Sequence, residues 1–257
     1  MSRYGDRWAP YVSVAARRAD AERQIAALRK AGQAIAPVII DTRAIATSFW
    51  GKAWCENLES YSDFEYRLPR GRSCARNRAV LDLQIAPLAI KALVRGSSTY
   101  TVTVKIAAAP GAHWASICKD CAGGVATLVE LLQGRFSTAV MERICRKGQG
   151  LFPKPSEIGF SCSCPDYADM CKHVAAVLYG VGARLDESPE LLFRLRGVDE
   201  SDLLAHVDAA GSLPMTGPAA DRTIQAEDLS ALFGLEMADD DAPAAPRGGK
   251  ARAKAVR

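Results

Sequence analysis

No stretch of the chain approaches the ~20 consecutive apolar residues that a membrane-spanning helix requires. The longest candidate, residues 174–183, reaches about half that length and contains two glycines. The N-terminal stretch MSRYGDRWAPYVSV lacks the apolar segment of a secretory signal. Both absences lead to the expectation of a cytoplasmic protein whose eight cysteines stay reduced. No GxxxxGK[ST] loop occurs, so any ATPase activity would belong to a partner. Histidine is scarce, at positions 113, 173 and 206, and neither His113 nor His206 has a nucleophile or carboxylate motif beside it. These gaps argue against an enzyme. No internal repeat is visible.

What remains is ordinary globular material. The 257 residues are 49% hydrophobic and 24% charged, enough for a sizeable core in one large domain or two modest ones. The net charge of +4 is mild, but it is unevenly placed. YRLPRGRSCARNR, residues 66–78, carries Arg67, Arg70, Arg72, Arg76 and Arg78 with no acid. The last eleven residues, RGGKARAKAVR, carry five more basic groups, and Asp239, Asp240 and Asp241 precede them as an acidic run. Local positive charge of this kind suits a polyanion, and it also occurs on solvated surfaces.

Residues 15–31 are rich in helix formers and end before Gly32, and APVIID then reads as a short strand. Thr47 or Ser48 can cap a helix whose Phe49, Trp50, Ala53, Trp54 and Leu58 form one apolar face, with both tryptophans in the core. From Ala79 three runs, AVLDLQI, IKALVRG and YTVTVKI, show the β-branched, partly alternating pattern of an antiparallel meander joined by short turns. Beyond Pro110 the texture is helical: VATLVELLQG, then TAVMERICRK capped by Ser137 and stopping at Gly148. Helices are also expected over VAAVLYGVGARL, over ELLFRLRG after Ser188 and Pro189, and from Ser201 to Ala209. The remainder reads as a flexible tail, apart from a short amphipathic stretch at 224–235 that could dock a partner.

The fold expected is therefore α+β. A mixed region occupies 1–148, with a meander at about 79–107 and helices at about 112–148. A cysteine-rich segment with following helices occupies 149–209, and a disordered tail 210–257. Within the middle segment, CSCPDYADMCKH brings together Cys162, Cys164, Cys171 and His173 in the spacing Cys-x-Cys-x6-Cys-x-His. Three thiolates and an imidazole match tetrahedral Zn²⁺, and four protein ligands leave no open position, which is the signature of a structural site. Cys171 and His173 are two residues apart, so they cannot both face a metal from mid-helix. Cys171 must sit at the helix entry with His173 in the first turn. Lys172, between them, can offset the net negative charge of such a site or reach a phosphate. Cys118 and Cys121 form the one Cys-x-x-Cys pair and read as two ordinary thiols on one helix face.

CSC-PDYADM-CKH followed by VAAVLYGVG resembles the SWIM zinc finger. FWGKAWCENLESYSDFEYRLPRGRSCARN, LVELLQG, GLFPKPSEI and PELLFRLRGVD extend the likeness over roughly residues 1–208, toward bacterial SWIM proteins that occur alongside Snf2-type helicases. The resemblance implies one structural zinc on Cys162, Cys164, Cys171 and His173, in a β-hairpin and helix finger. It also implies DNA binding or protein interaction. Such proteins often place glycine after the RN and after the proline of the next turn, where this chain has Arg78 and Leu88. The expectation is a zinc-stabilised, nucleic-acid-binding accessory factor, with DNA ahead of RNA, using Arg67, Arg70, Arg72, Arg76, Arg78 and Lys172. The alternative is an adaptor that docks a Snf2-type helicase without touching DNA. No small-molecule substrate or membrane is expected as a partner.

Overall fold

Alternation of apolar and polar residues builds the sheet around which everything else is arranged. In the computed structural model, residues 12–60, 66–122 and 136–203 are described. They belong to a unit spanning Met1–Leu213. A second unit, Pro214–Arg257, lies outside the described residues, and with it most of the expected tail and the 224–235 stretch. The expected helix at VATLVELLQG and most of that at 201–209 also fall outside them.

Strands β1 (Val80–Ala86), β2 (Ala89–Arg95) and β3 (Thr99–Ile106) form the meander, and β4 (Ile158–Cys162) adds to its edge in the order β1-β2-β3-β4. All pairs are antiparallel. Period two sends Leu83 of β1, Ile90, Ala92 and Val94 of β2, and Val102, Val104 and Ile106 of β3 into the core, and a bulge between Val80 and Asp82 returns Val80 to the same face, opposite Val94. The register sets Ile90 opposite Val104 and Ala92 opposite Val102. β4 continues the inner face, with Ile158, Phe160 and Cys162 opposite Ile106, Val104 and Val102. The finger's hairpin is thus made with β3 of the meander rather than within the cysteine-rich segment. A two-stranded hairpin alone is marginal in water, and an existing sheet edge removes that weakness.

Helices α1 (Val14–Lys30), α2 (Phe49–Glu59) and α3 (Leu68–Arg76) precede the sheet. Helices α4 (Gly111–Cys121) and α5 (Thr138–Ile144) lie between β3 and β4, and α6 (Lys172–Glu187) and α7 (Leu191–Arg196) follow. Ser48 caps α2 by accepting from the Gly51 amide at 3.1 Å, and Ser137 caps α5 by accepting from the Val140 amide at 3.3 Å. α5 ends at Ile144, short of Gly148, because the Leu151 amide turns back onto the Ile144 carbonyl at 2.8 Å. α7 begins at Leu191, after Ser188 to Glu190 wind in as a turn of i,i+3 bonds.

α6 is the centre of the molecule. Residues 173–182 and Leu185 are buried, so the helix is covered on every side, as an apolar helix of this kind must be. It packs against the sheet and against α2 and α3. Trp54 donates its indole N–H to the Leu178 carbonyl at 2.9 Å, and Trp50 donates to Leu185 at 2.7 Å, so both tryptophans serve the core as expected. The α3 crossing is close: a Cβ on Gly71 would lie 2.4 Å from that of Ala175. Only glycine permits this approach.

Two segments differ from expectation. RLPRGRSCARNR, a basic stretch to which the sequence pattern assigns no element, forms α3 over residues 68–76. Leu68, Gly71 and Ala75 make one buried face there, and tertiary packing outweighs the weak propensity of Pro69 and Gly71. APVIID runs beside β1 without becoming a strand. It makes two backbone bonds, Val38 to Val80 at 3.1 Å and Leu83 to Ala36 at 2.9 Å. Pro37 has no N–H to continue the ladder, and β1 is bulged opposite it, between Val80 and Asp82. Arg78 and Leu88 adopt φ of 58° and 59°. The two positions at which the resemblance leads to an expectation of glycine are the two non-glycine left-handed positions among the described residues, a conformation that is costly for an L side chain.

Candidate metal centre

Strand β4 delivers the first ligand by the pleat alone. Cys162 takes the inward slot opposite Val102, and the chain stays extended for one more residue. The Ser163 amide donates to the Thr101 carbonyl at 3.0 Å, and the Ser163 hydroxyl accepts from the Thr101 amide at 3.0 Å. Cys164 therefore falls on the same face as Cys162, two residues on. The loop back to α6 is tied at Met170, which is fully buried, and at Asp166. Asp166 accepts from the Ala168 amide at 3.3 Å and holds Arg67 of the α3 entrance through both carboxylate oxygens, at 2.9 and 3.0 Å.

Cys171 is the N-cap of α6 and His173 lies in its first turn, the placement required by their spacing. The Cys171 side chain makes no capping bond, so its sulfur remains available. Donor atoms of Cys162, Cys164, Cys171 and His173 all lie within 4.8 Å of one another. His173 Nδ1 is 3.9 Å from Cys162 Sγ and 3.8 Å from Cys171 Sγ. Zn–S and Zn–N bonds of about 2.3 and 2.0 Å set the edges of a tetrahedron at roughly 3.5–3.8 Å. The four side chains fit one zinc ion.

Electrostatics agrees with that donor set. Burial pushes the Cys162 thiol up to about 12, against the pull of the Cys164 amide. Burial also raises Cys171, opposed by the Val174 and His173 amides at the helix entry. Neutral thiols packed this closely satisfy one another poorly, whereas a divalent cation favours their thiolate form and offsets two of the three charges. Burial holds the His173 imidazole down to about 4, with the neighbouring Lys172 charge acting in the same sense. The ring is therefore in its neutral, coordinating form at ordinary pH.

A shelter for this imidazole comes from the β2–β3 turn and the start of β3, which sequence reasoning did not single out. The Tyr100 ring lies over His173 with centroids 4.6 Å apart. His173 Nε2 is buried without a hydrogen-bond partner, and a Cβ on Gly96 would come within 2.7 Å of it. The glycine of VRGSS was the available signal: only a residue without a side chain lets the turn close over the ring.

Comparison with known proteins accords with this geometry. The SWIM zinc finger model matches residues 160–181, from the middle of β4 into α6. The uncharacterized protein Rv2102 of Mycobacterium tuberculosis is 33% identical over 210 residues, covering 79% of this chain and 75% of that protein. The chain belongs to the SWIM zinc finger proteins. No solved structure matches it. No helix among the described residues is long and apolar enough to cross a membrane.

Around the SWIM finger, the six expected cationic contacts have unlike surroundings. Arg67 is held by Asp166. Arg72 pairs with Glu59 and lies over the Tyr179 ring, 5.3 Å from its centroid. Arg78 bridges Glu22 at 2.7 Å and Asp41 at 2.8 Å. Arg76 joins Arg72, Lys52, Glu56, Glu59 and Tyr179 around a cleft of about 240 Å³, its Nε buried without a partner. Arg70 is exposed, Lys172 is half-buried, and neither makes an ion pair among the described residues. Both Lys172 and Arg17 of α1 act electrostatically on Cys74, one turn beyond Arg70 on α3. Cys118 and Cys121 are buried in α4, and burial raises both thiols.

Proposed function

We propose that this SWIM protein is a nucleic-acid-binding accessory factor, with DNA as its expected target and a Snf2-type helicase as the class of enzyme it would serve. The observation that carries the reading is the group of cations beside the finger. Arg70 lies on α3, Lys172 and Arg17 both act electrostatically on Cys74 of the same helix, and none of the three makes an ion pair among the described residues. Such groups bind phosphates and position a backbone rather than read bases. The zinc in this reading is architectural: it holds the loop that carries Asp166 and sets Lys172 at the start of α6. Four protein ligands leave it no site for substrate, which supports a binding protein over an enzyme.

The test is a salt-titrated binding assay of the zinc-loaded chain with DNA and RNA. Affinity is expected to fall steeply with salt, and Arg70→Ala with Lys172→Ala should weaken binding and flatten the log–log salt slope by about two. Arg72 is unsuited to this test, since its removal would also strip Glu59 and Tyr179 of a partner. Absence of binding at low salt, or salt-independent binding, would overturn the proposal. Retention of a Snf2-type ATPase by the Arg70→Ala/Lys172→Ala variant, with loss on Cys171→Ser, would favour the adaptor reading instead.

A further inference from the structure

Two tyrosines have no part in the fold. Tyr167 is 102% exposed and Tyr66 is 89% exposed, the largest values among the exposed large apolar residues described. At 102% no protein atom covers the Tyr167 ring, so it contributes nothing to the core. Single exposed rings are unremarkable on a protein surface. These two, however, sit at the two ends of one ion pair: Tyr66 adjoins Arg67, and Tyr167 adjoins Asp166. The paired contacts of 2.9 and 3.0 Å hold both backbones while the rings stand free. Asp166 is further fixed by the Ala168 amide and by its place between two metal ligands, Cys164 and Cys171.

Cations lie on the helix that follows Tyr66 and at the start of the helix that follows Tyr167. Arg70 is one turn into α3 from Tyr66, and Lys172 and Arg17 flank the following turn around Cys74. From Leu68, the first residue of α3, to Cys74 the rise is about 9 Å at 1.5 Å per residue. Asp169 is the exposed acid of the finger loop, and Asp166 is already paired. Aromatic rings beside a row of cations are the two elements by which proteins hold single strands: unpaired bases stack on the rings and phosphates follow the charge. A duplex keeps its base faces stacked on one another and cannot use the rings.

We infer that Tyr66 and Tyr167, braced by the Arg67–Asp166 pair, form a stacking platform for single-stranded nucleic acid, with Arg70, Lys172 and Arg17 receiving its phosphates. This rests on the nucleic-acid reading above and adds to it the strand form and the residues that select it. The finger loop then has a function distinct from metal binding: zinc sets its backbone, and Asp166 aims it at α3.

The test uses the full zinc-loaded chain with fluorescein-labelled (dT)12, (rU)12 and a 12-base-pair duplex. The parent is expected to prefer the single strands. Tyr66→Ala with Tyr167→Ala should weaken binding to (dT)12 or (rU)12 by about tenfold or more, while duplex affinity changes little. Replacement of both by Phe should restore binding, and the salt slope should stay at the parent value because stacking releases no counterions. Zinc content and melting temperature should also match the parent, since neither ring is packed. Which of (dT)12 and (rU)12 loses affinity shows whether the strand is DNA or RNA. Unchanged single-strand affinity in the double variant, alongside the loss caused by Arg70→Ala and Lys172→Ala, would overturn the platform and leave the nucleic-acid reading standing. A parent that binds none of the three at low salt would overturn both.

Discussion

The meander and the finger adjoin the same helix, α6, and share one sheet, but they are held together by different forces. In β1–β3 the inward positions other than Tyr100 are aliphatic, and cross-strand pairs such as Ile90 with Val104 exclude water over a continuous face. In the finger the inward face starts in the same way, with Ile158 and Phe160, and then switches to Cys162 and Cys164. From there to Asp169 burial is incomplete at every residue, and no ladder continues past Ser163. The difference teaches that one sheet can be specified by area in one part and by coordination in another. Area is distributed, so a lost side chain costs a fraction of stability. Coordination is concentrated in four atoms, so one lost ligand removes most of the effect.

The largest expected effect follows from that concentration. Cys171→Ser should bring bound zinc from one equivalent to well below one, and with it forfeit metal-binding free energy of order 10 kcal/mol. Metal analysis reads the first. Amide exchange reads the consequence: protection should collapse in β4 and at the start of α6 while β1 and β2 keep theirs. Uniform loss across all four strands would show that the two regions are one cooperative unit and would break the comparison. Within the meander, on the same face of the sheet, Ile90→Ala removes a fully buried side chain. A cost of about 2–5 kcal/mol is expected in urea unfolding, with zinc stoichiometry unchanged.

The smallest effect lies at the joint between the regions. Glu157 precedes β4 and meets Arg196 of α7, whose side chain is only 3% exposed and also donates to the Ala107 carbonyl at the end of β3. Burial pushes the Glu157 carboxyl up, but the Lys154 amide and the Arg196 guanidinium outweigh it and hold the group below the usual carboxylate range. A lowered value in the folded state means stabilisation that is complete above the unfolded pKa of about 4.3 and lost as pH falls through the folded value. Glu157→Gln should therefore cost about 1–2 kcal/mol at pH 7. Melting curves of parent and variant should converge once the pH falls below the lowered folded-state value. A gap that persists in acid would assign the joint to packing instead of charge.

Much of the metal centre is legible in the chain because its ligands are close together. Cys-x-Cys on a strand repeats the pleat, and Cys-x-His forces the first residue to the helix entry; both are local geometry. The meander is equally legible, since its strands are joined by turns of a few residues and its alternation names the inner face. α3 was hidden for the opposite reason. Proline, glycine and five arginines give RLPRGRSCARNR no helical signature of its own, and what makes it helical is the contact of Gly71 with Ala175 about a hundred residues away. The same holds for its charges. The acids that meet Arg67 and Arg78 are Asp166, Glu22 and Asp41, none of them a neighbour in sequence.

By itself, then, the sequence determined the ligand set, the tetrahedral stoichiometry, the meander and the helix that follows the finger, all of which rest on spacings of a few residues. Tertiary structure alone decided that β4 completes the meander's sheet, that Gly96 and Tyr100 cover His173, and that Arg67 joins Asp166 and leaves Tyr66 and Tyr167 bare. A pattern states which face of an element is apolar or charged. It does not name the partner, because contacts between distant segments are selected by how well whole surfaces fit, and that fit exists only once the chain has folded.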